Sequence, residues 1–347
     1  MSPATYRKIS IAALAFVCII VVTGASVRLS GSGLGCADWP NCNDNRLVDV
    51  STTHGAIEQI NRLFTGVVMV AVIAAVLGAF RRRPRRVDLT RLSIAIALGV
   101  PAQGIVGAIV VKTKLNPFAN QQHFLLSMVL VALAVVLVDR AGEPDDGDRV
   151  HTVTAPTLLH VRALGALTAL AIVSGTFVTG AGPHAGDQRA KRFDIAIHTV
   201  AQIHGITVMT TLAVASVLFW RLRSRRADRA VLDNPLTTWM VVAIAQAGVG
   251  YTQYFTGVPA VLVGVHVAFA TVLWLVTVQL ILSTAAISRS GINRSGTPHS
   301  TLASTTPAQV PSATTAAPAP APAPSGSPDP TAPAAADPAS AAPVPST

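Results

Sequence analysis

Glu58, Asn61 and Arg62 stand together in the stretch HGAIEQINRLFTG (54–66), where a polar loop runs into a long apolar segment. Charge at membrane depth is costly and usually functional, so a carboxylate, an amide and a guanidinium at helical spacing need an explanation. Glu58 and Asn61 are three apart and share one helix face. A carboxylate so placed can move protons or position a reacting group. Three histidines occupy comparable places: His123, His204 and His266 each stand a few residues into an apolar run. Imidazole is a common axial ligand of heme iron, and facing helices of a bundle often hold cofactors between them. His204 and His266 are the clearest candidate pair for such an iron. For any one of them, a hydrogen bond to a neighbouring helix is the plainer alternative.

The spacing of these residues repeats. Sliding the chain on itself by 143 residues lays Gln59-Ile60-Asn61 on Gln202-Ile203-His204, Ala102-Gln103 on Ala245-Gln246, Val106-Gly107 on Val249-Gly250 and His123 on His266. One offset holding across three apolar runs implies two related halves. It also sets Gln103 and Gln246 at the same distance before His123 and His266. Each is either a partner orienting its histidine or an interhelical hydrogen-bonding residue.

Cys36 and Cys42 bracket ADWPN in a loop that falls on the outer side, where a short-loop disulfide is the first reading, structural or redox-active. Without nearby histidines they make a poor zinc site. Cys18, inside the first run, reads as a small core residue. His54 and His198 read as solvated or locally bonded, His184 lies in an outer loop, and His151 and His160 belong to the opposite surface. Arg28, Arg62, Lys112 and Lys114 stand at the outer ends of runs, either as snorkelling anchors or as partners for porphyrin propionates.

The elements that must position these groups follow from composition. Of 347 residues, 51% are hydrophobic and 12% charged, and the mean hydropathy is +0.52, too apolar for a soluble domain of this length. Eight apolar runs near 20 residues, at roughly 9–29, 59–80, 92–111, 121–138, 158–180, 199–220, 236–256 and 260–284, each suffice to cross a hydrocarbon core of about 30 Å. The first is too long, and too poor in a cleavage site, for a signal peptide. Arg7 and Lys8, RRRPRR (81–86) and RLRSRRADR (221–229) fall on one side, which the positive-inside rule makes cytoplasmic, so both termini are expected inside. These anchors account for the net charge of +10 without nucleic-acid binding.

The expected fold is an all-α membrane protein of eight transmembrane helices in two pseudo-symmetric four-helix bundles. An N-terminal half (1–145) carries His123 and a C-terminal half (146–288) carries His204 and His266. A Pro/Ala-rich segment (289–347) is expected to be a disordered cytoplasmic tail, because it lacks the apolar residues to offset its ordering entropy. Asn61, His123, His204 and His266 then share one depth, near the outer face.

VRLSGSGLGCADWPNC (27–42) resembles the first outer loop of heme A synthases, and TGAGPHAGD (179–187), AQIHG (201–205) and GVPAVLVGVH (257–266) resemble later motifs of that family. The resemblance spans nearly all of residues 10–285. It implies oxidation of the C8 methyl of heme O to the formyl of heme A, for terminal cytochrome oxidases, in a bacterial plasma membrane. It implies a heme b between His204 and His266, a substrate heme site at His123 and an essential carboxylate at Glu58. Cys36 and Cys42 match the family's cysteine pair. Implied partners are heme O, the farnesyltransferase that makes it, cytochrome oxidase assembly and membrane lipids.

One position departs from the pattern. Many members have Glu-x-x-His-Arg where this chain has Glu58-Gln-Ile-Asn61-Arg62. An amide is a poor iron ligand, so the first half would hold its heme by His123 alone, leaving the opposite face open beside Glu58. A non-enzymatic di-heme electron-transfer protein or heme carrier would use the same histidines without needing Glu58. A secondary transporter is the third class, but the polar residues cluster near the outer face rather than mid-membrane.

Overall fold

The computed structural model describes residues 1–288; the segment expected to form a disordered tail lies outside the described residues. Eight helices follow one another: α1 (Pro3–Leu29), α2 (Thr53–Arg81), α3 (Val87–Lys112), α4 (Pro117–Gly142), α5 (Ala155–Ala181), α6 (Ile197–Leu222), α7 (Arg226–Phe255) and α8 (Ala260–Leu282). Each apolar run coincides with one helix, and several helices begin earlier because a polar cap starts them. Ser2 accepts from the Thr5 amide at 3.2 Å, Thr52 from Gly55 at 3.0 Å and Asn116 from Phe118 at 2.9 Å, satisfying amides the first turn leaves free.

Seven of the eight are long and apolar enough to cross a membrane; α7 is not. The eight apolar spans expected from the sequence therefore number seven by composition. Thr237, Thr238, Gln246, Tyr251, Thr252 and Gln253 dilute the apolar character of α7. Its length is ample all the same. Thirty residues extend about 45 Å as a helix, against a core about 30 Å thick.

The fold is also not wholly helical. Strand β1 (Asp148–His151), after α4, pairs antiparallel with β2 (Ala285–Ser288), after α8, with Asp148 opposite Ser288 and His151 opposite Ala285. Four-residue strands show too little alternation to be read from sequence. Arg149 fastens this junction by donating to the Leu282 carbonyl at 2.9 Å and pairing with Glu143 at 2.5 Å.

Between helices in lipid there is little water to exclude, so close packing and interhelical hydrogen bonds hold the bundle. One core joins α1 to α4 around Tyr6, Val17, Val72, Leu89, Ile96, Val131 and Leu137. A second joins α5 to α8 around Leu164, Leu218, Leu232, Leu236, Trp239 and Leu280. α4 packs on both α1 and α8 and links the two. Trp274 Nε1 donates to the Met128 carbonyl at 2.8 Å, Gln121 Nε2 to Thr176 Oγ1 at 2.6 Å, and Arg28 Nη2 to the Thr179 carbonyl at 2.8 Å. On the side of the α2–α3 connection, Arg82 is buried and bonded to Asp145 at 2.6 Å, so one arginine of RRRPRR is structural, not a lipid-facing anchor.

Candidate functional site

Glu58 stands two turns into α2 and is 6% exposed. Its Oε1 accepts from Arg62 Nε at 3.1 Å and Nη2 at 2.5 Å, the i,i+4 geometry in which glutamate precedes its cation. Its Oε2 accepts the backbone N–H of Cys36 at 2.8 Å. Arg62 Nη1 continues outward to the carbonyls of Asp38 at 3.0 Å and Asn41 at 3.4 Å. Cys36 and Cys42 are joined as a disulfide, as expected, and Cys18 is free. One carboxylate and one guanidinium thus clamp the disulfide loop onto α2.

The same loop lies directly on the start of α2. A Cβ on Gly35 would fall 2.2 Å from the His54 carbonyl oxygen, so only glycine fits there. Ser32 Oγ meets His54 Nδ1 at 2.8 Å, which makes His54 locally bonded. Asp49 braces the far side of the loop, accepting from Ser51 N at 3.0 Å and Asn43 Nδ2 at 2.6 Å. Hydrogen bonds from Ser51 hold its carboxyl below the ordinary value.

His204 on α6 and His266 on α8 are brought together. Their ring centroids are 6.4 Å apart and their planes cross at 77°. α6 does not pack closely on α8; the two are bridged by α5 and α7, each of which packs on both. Ser174 of α5 accounts for one imidazole. Its hydroxyl lies 3.0 Å from the Ala171 carbonyl and 3.0 Å from His204 Nδ1. With its one proton given to the carbonyl, Ser174 accepts from Nδ1–H, and the lone pair of His204 is then on Nε2. Gln246 of α7 serves the other histidine, donating to the His266 carbonyl at 3.1 Å with its nitrogen 3.2 Å from Nε2. His266 Nδ1 is buried without a partner.

His123 repeats that arrangement. Gln103 of α3 donates to the His123 carbonyl at 3.1 Å and to Ser127 Oγ at 2.7 Å, and His123 Nδ1 is buried and unpartnered. Asn61 Oδ1 is likewise buried without a partner. No hydrogen bond joins Asn61 to Glu58 or to His123 among the described residues. Arg28 is committed to the Thr179 carbonyl, although its Nε is buried and unpartnered. Both glutamines thus sit where either sequence reading put them, on the preceding helix and bonded to their histidine.

A family described as cytochrome oxidase assembly protein, COX15-CtaA, matches residues 7–54 and 47–278. The chain belongs to this family. It is 28% identical over 306 residues to a protein of Listeria monocytogenes serovar 1/2a named Heme A synthase, covering 81% of this chain and 95% of that one. Heme A synthases of an Exiguobacterium species (23% identical, 67% of this chain and 77% of that one) and of Geobacillus kaustophilus (33% over 121 residues, 35% and 38%) are also similar. With seven membrane-crossing helices in such company, this COX15-CtaA member is a multi-pass membrane protein.

The residues of the second half fit a heme. Two imidazoles with ring centroids 6.4 Å apart could share one metal ion between them. Among the described residues no cluster of three or more His, Cys, Asp or Glu could hold a metal. Two imidazoles this close are donors of the kind that suit an iron held by a porphyrin. Three contributors have no role in the sequence reading of this COX15-CtaA chain. Ser174 is one of many hydroxyl residues on apolar helices and carries no local signal. Gly107 and Gly250 had been marked by the internal repeat, without a role; in the structure each lies against the ring of the histidine that follows it.

Proposed function

We propose that this protein is a heme A synthase that oxidises the C8 methyl group of heme O to the formyl group of heme A. The observation that carries the reading is the His204–His266 pair, two imidazoles of α6 and α8 with ring centroids 6.4 Å apart, in a chain whose relatives carry that name. In this reading the two histidines hold a heme b, and His123 holds the substrate heme in the first half. Heme b, when bound between two histidines, supplies one-electron transfer.

The chain's own residues do the rest. Ser174 fixes the tautomer of His204, and Gln246 and Gln103 fix the helix turns that carry His266 and His123. Glu58 stands at the outer end of α2, one helix turn from Asn61, where a carboxylate can hold or move a proton at Oε1 or Oε2. Arg62 and the Cys36 amide hold it in place. Asn61, where the family pattern has histidine, leaves the first half with a single strong ligand and a more open face. The equal offsets of Gln103–His123 and Gln246–His266 support two related halves (1–145 and 146–288), with α7 as the eighth span and both termini on the cytoplasmic side. Aromatic Tyr251, Tyr254 and Phe255 at the outer end of α7 suit a membrane interface. Heme O would come from the farnesyltransferase that makes it, and the product would go to cytochrome oxidase assembly.

Co-expression with a heme O-producing enzyme tests the reading. Extracted hemes should include heme A with the unaltered chain and lack it with Glu58→Gln, while bound heme b persists. Heme A at the unaltered rate in Glu58→Gln would remove Glu58 from the reaction. Absence of heme A from the unaltered chain would favour a heme carrier or electron-transfer protein.

A further inference from the structure

Each histidine of the site is backed by a glycine on the helix before it. A Cβ on Gly250 of α7 would stand 2.9 Å from Cε1 of His266; on Gly175 of α5, 3.2 Å from Cε1 of His204; and on Gly107 of α3, 3.4 Å from Cε1 of His123. Even Asn61 has its counterpart, since a Cβ on Gly24 of α1 would lie 4.0 Å from its Nδ2. All four pairings join an odd-numbered helix to the next even one, at the same end of the bundle. None of the four glycines has a positive φ. Backbone conformation therefore does not require glycine at these places, and alanine would be the better helix former.

We propose that Gly250 and Gly175 are positioning residues that seat the porphyrin-binding imidazoles of His266 and His204. The bare backbone lets the Cε1 edge of each ring approach the preceding helix, which sets how far its nitrogens stand from that helix. The hydrogen bond from His204 Nδ1–H to Ser174 fixes ring rotation and that from Gln246 to the His266 carbonyl fixes helix register, while the glycines fix depth. Together they bring two side chains from non-adjacent helices to one iron-sized separation. This rests on His204 and His266 being heme ligands.

The clearances predict a graded response. At 2.9 Å something must shift, so Gly250→Ala displaces its ring most; at 3.2 Å Gly175→Ala displaces less; at 3.4 Å Gly107→Ala is close to ordinary contact. Gly205 and Gly248 lie on the same helices as His204 and Gly250 and have nothing within 4 Å of an added Cβ, so they are built-in controls.

The experiment uses the full chain in detergent, purified with its heme, and reads heme per chain and the low-spin electron paramagnetic resonance signal. Gly250→Ala should lower heme affinity by about 10–100-fold, as for other residues that orient a metal-bound histidine, and shift the g-values of the heme that remains. Gly175→Ala should do the same to a smaller extent, and Gly205→Ala and Gly248→Ala should match the unaltered protein. Gly250→Ala/His266→Ala should retain no less heme than His266→Ala alone. Unchanged signals in both Gly250→Ala and Gly175→Ala, or equal losses in the two controls, would overturn the proposal. An unaltered chain without low-spin heme would instead overturn the ligand assignment beneath it.

Discussion

The carboxylate of Glu58 receives the backbone N–H of Cys36 at 2.8 Å, so the residue proposed for proton handling also anchors the disulfide loop. The other oxygen is taken by Arg62, which reaches the loop again through Asp38 and Asn41. Loop, disulfide and carboxylate form one unit at the N-terminal end of α2.

Opening the disulfide should therefore disturb Glu58 before it disturbs the fold. For a loop closed by cysteines six residues apart, chain entropy gives a local stabilisation of about 2 kcal/mol. Cys36→Ser/Cys42→Ser should keep its heme b spectrum and its expression but produce less heme A in the co-expression assay. Unchanged heme A yield would show that Glu58 and Arg62 hold the loop without the bond.

Arg62 is the more fragile member of the ion pair. Removing one partner of a buried pair leaves the other charge uncompensated, at a cost of about 3–5 kcal/mol where burial is complete. Here the two side chains are 18% and 8% exposed, so the cost should fall below that range. Arg62→Ala should lower the thermal midpoint in detergent by more than Glu58→Gln, which keeps an acceptor for the Cys36 amide. Equal midpoints for the two variants would contradict the clamp described above.

How much of this was legible in the sequence depends on what kind of signal each part leaves. Apolar runs mark helices because lipid demands them, so the positions of all eight helices followed from hydropathy, while α7 fell short of a span because its polar residues dilute that signal. His204 and His266 were legible as a pair through the repeat. The sequence also placed Arg62 at a helix end, as a lipid anchor or, more sharply, a propionate partner; its bonds to the Asp38 and Asn41 carbonyls depend on a loop folding back over α2. Strands β1 and β2 are far apart in sequence and too short for a pattern. Ser174 is marked only by the ring it touches.

Ser174→Ala isolates the tautomer argument. It removes the acceptor for His204 Nδ1–H while leaving the volume of the site almost unchanged. Heme retained through purification should fall by about 10-fold or more, with Ser174→Thr recovering part of it. Full retention in Ser174→Ala would mean that helix packing alone sets the orientation of His204.

Asn61 gives the sharpest test of the difference between the halves. Its Oδ1 is buried without a partner, and a Cβ on Gly24 of α1 would stand 4.0 Å from its amide nitrogen. The pattern that the sequence resembles has a histidine at this position. Asn61→His should raise the low-spin heme bound per chain, because His123 then gains a second strong ligand opposite it. If the more open face beside Glu58 is what the oxidation needs, the same variant should make less heme A while binding more heme. A gain in both heme content and heme A yield would show instead that the amide limits substrate binding and plays no part in keeping the face open.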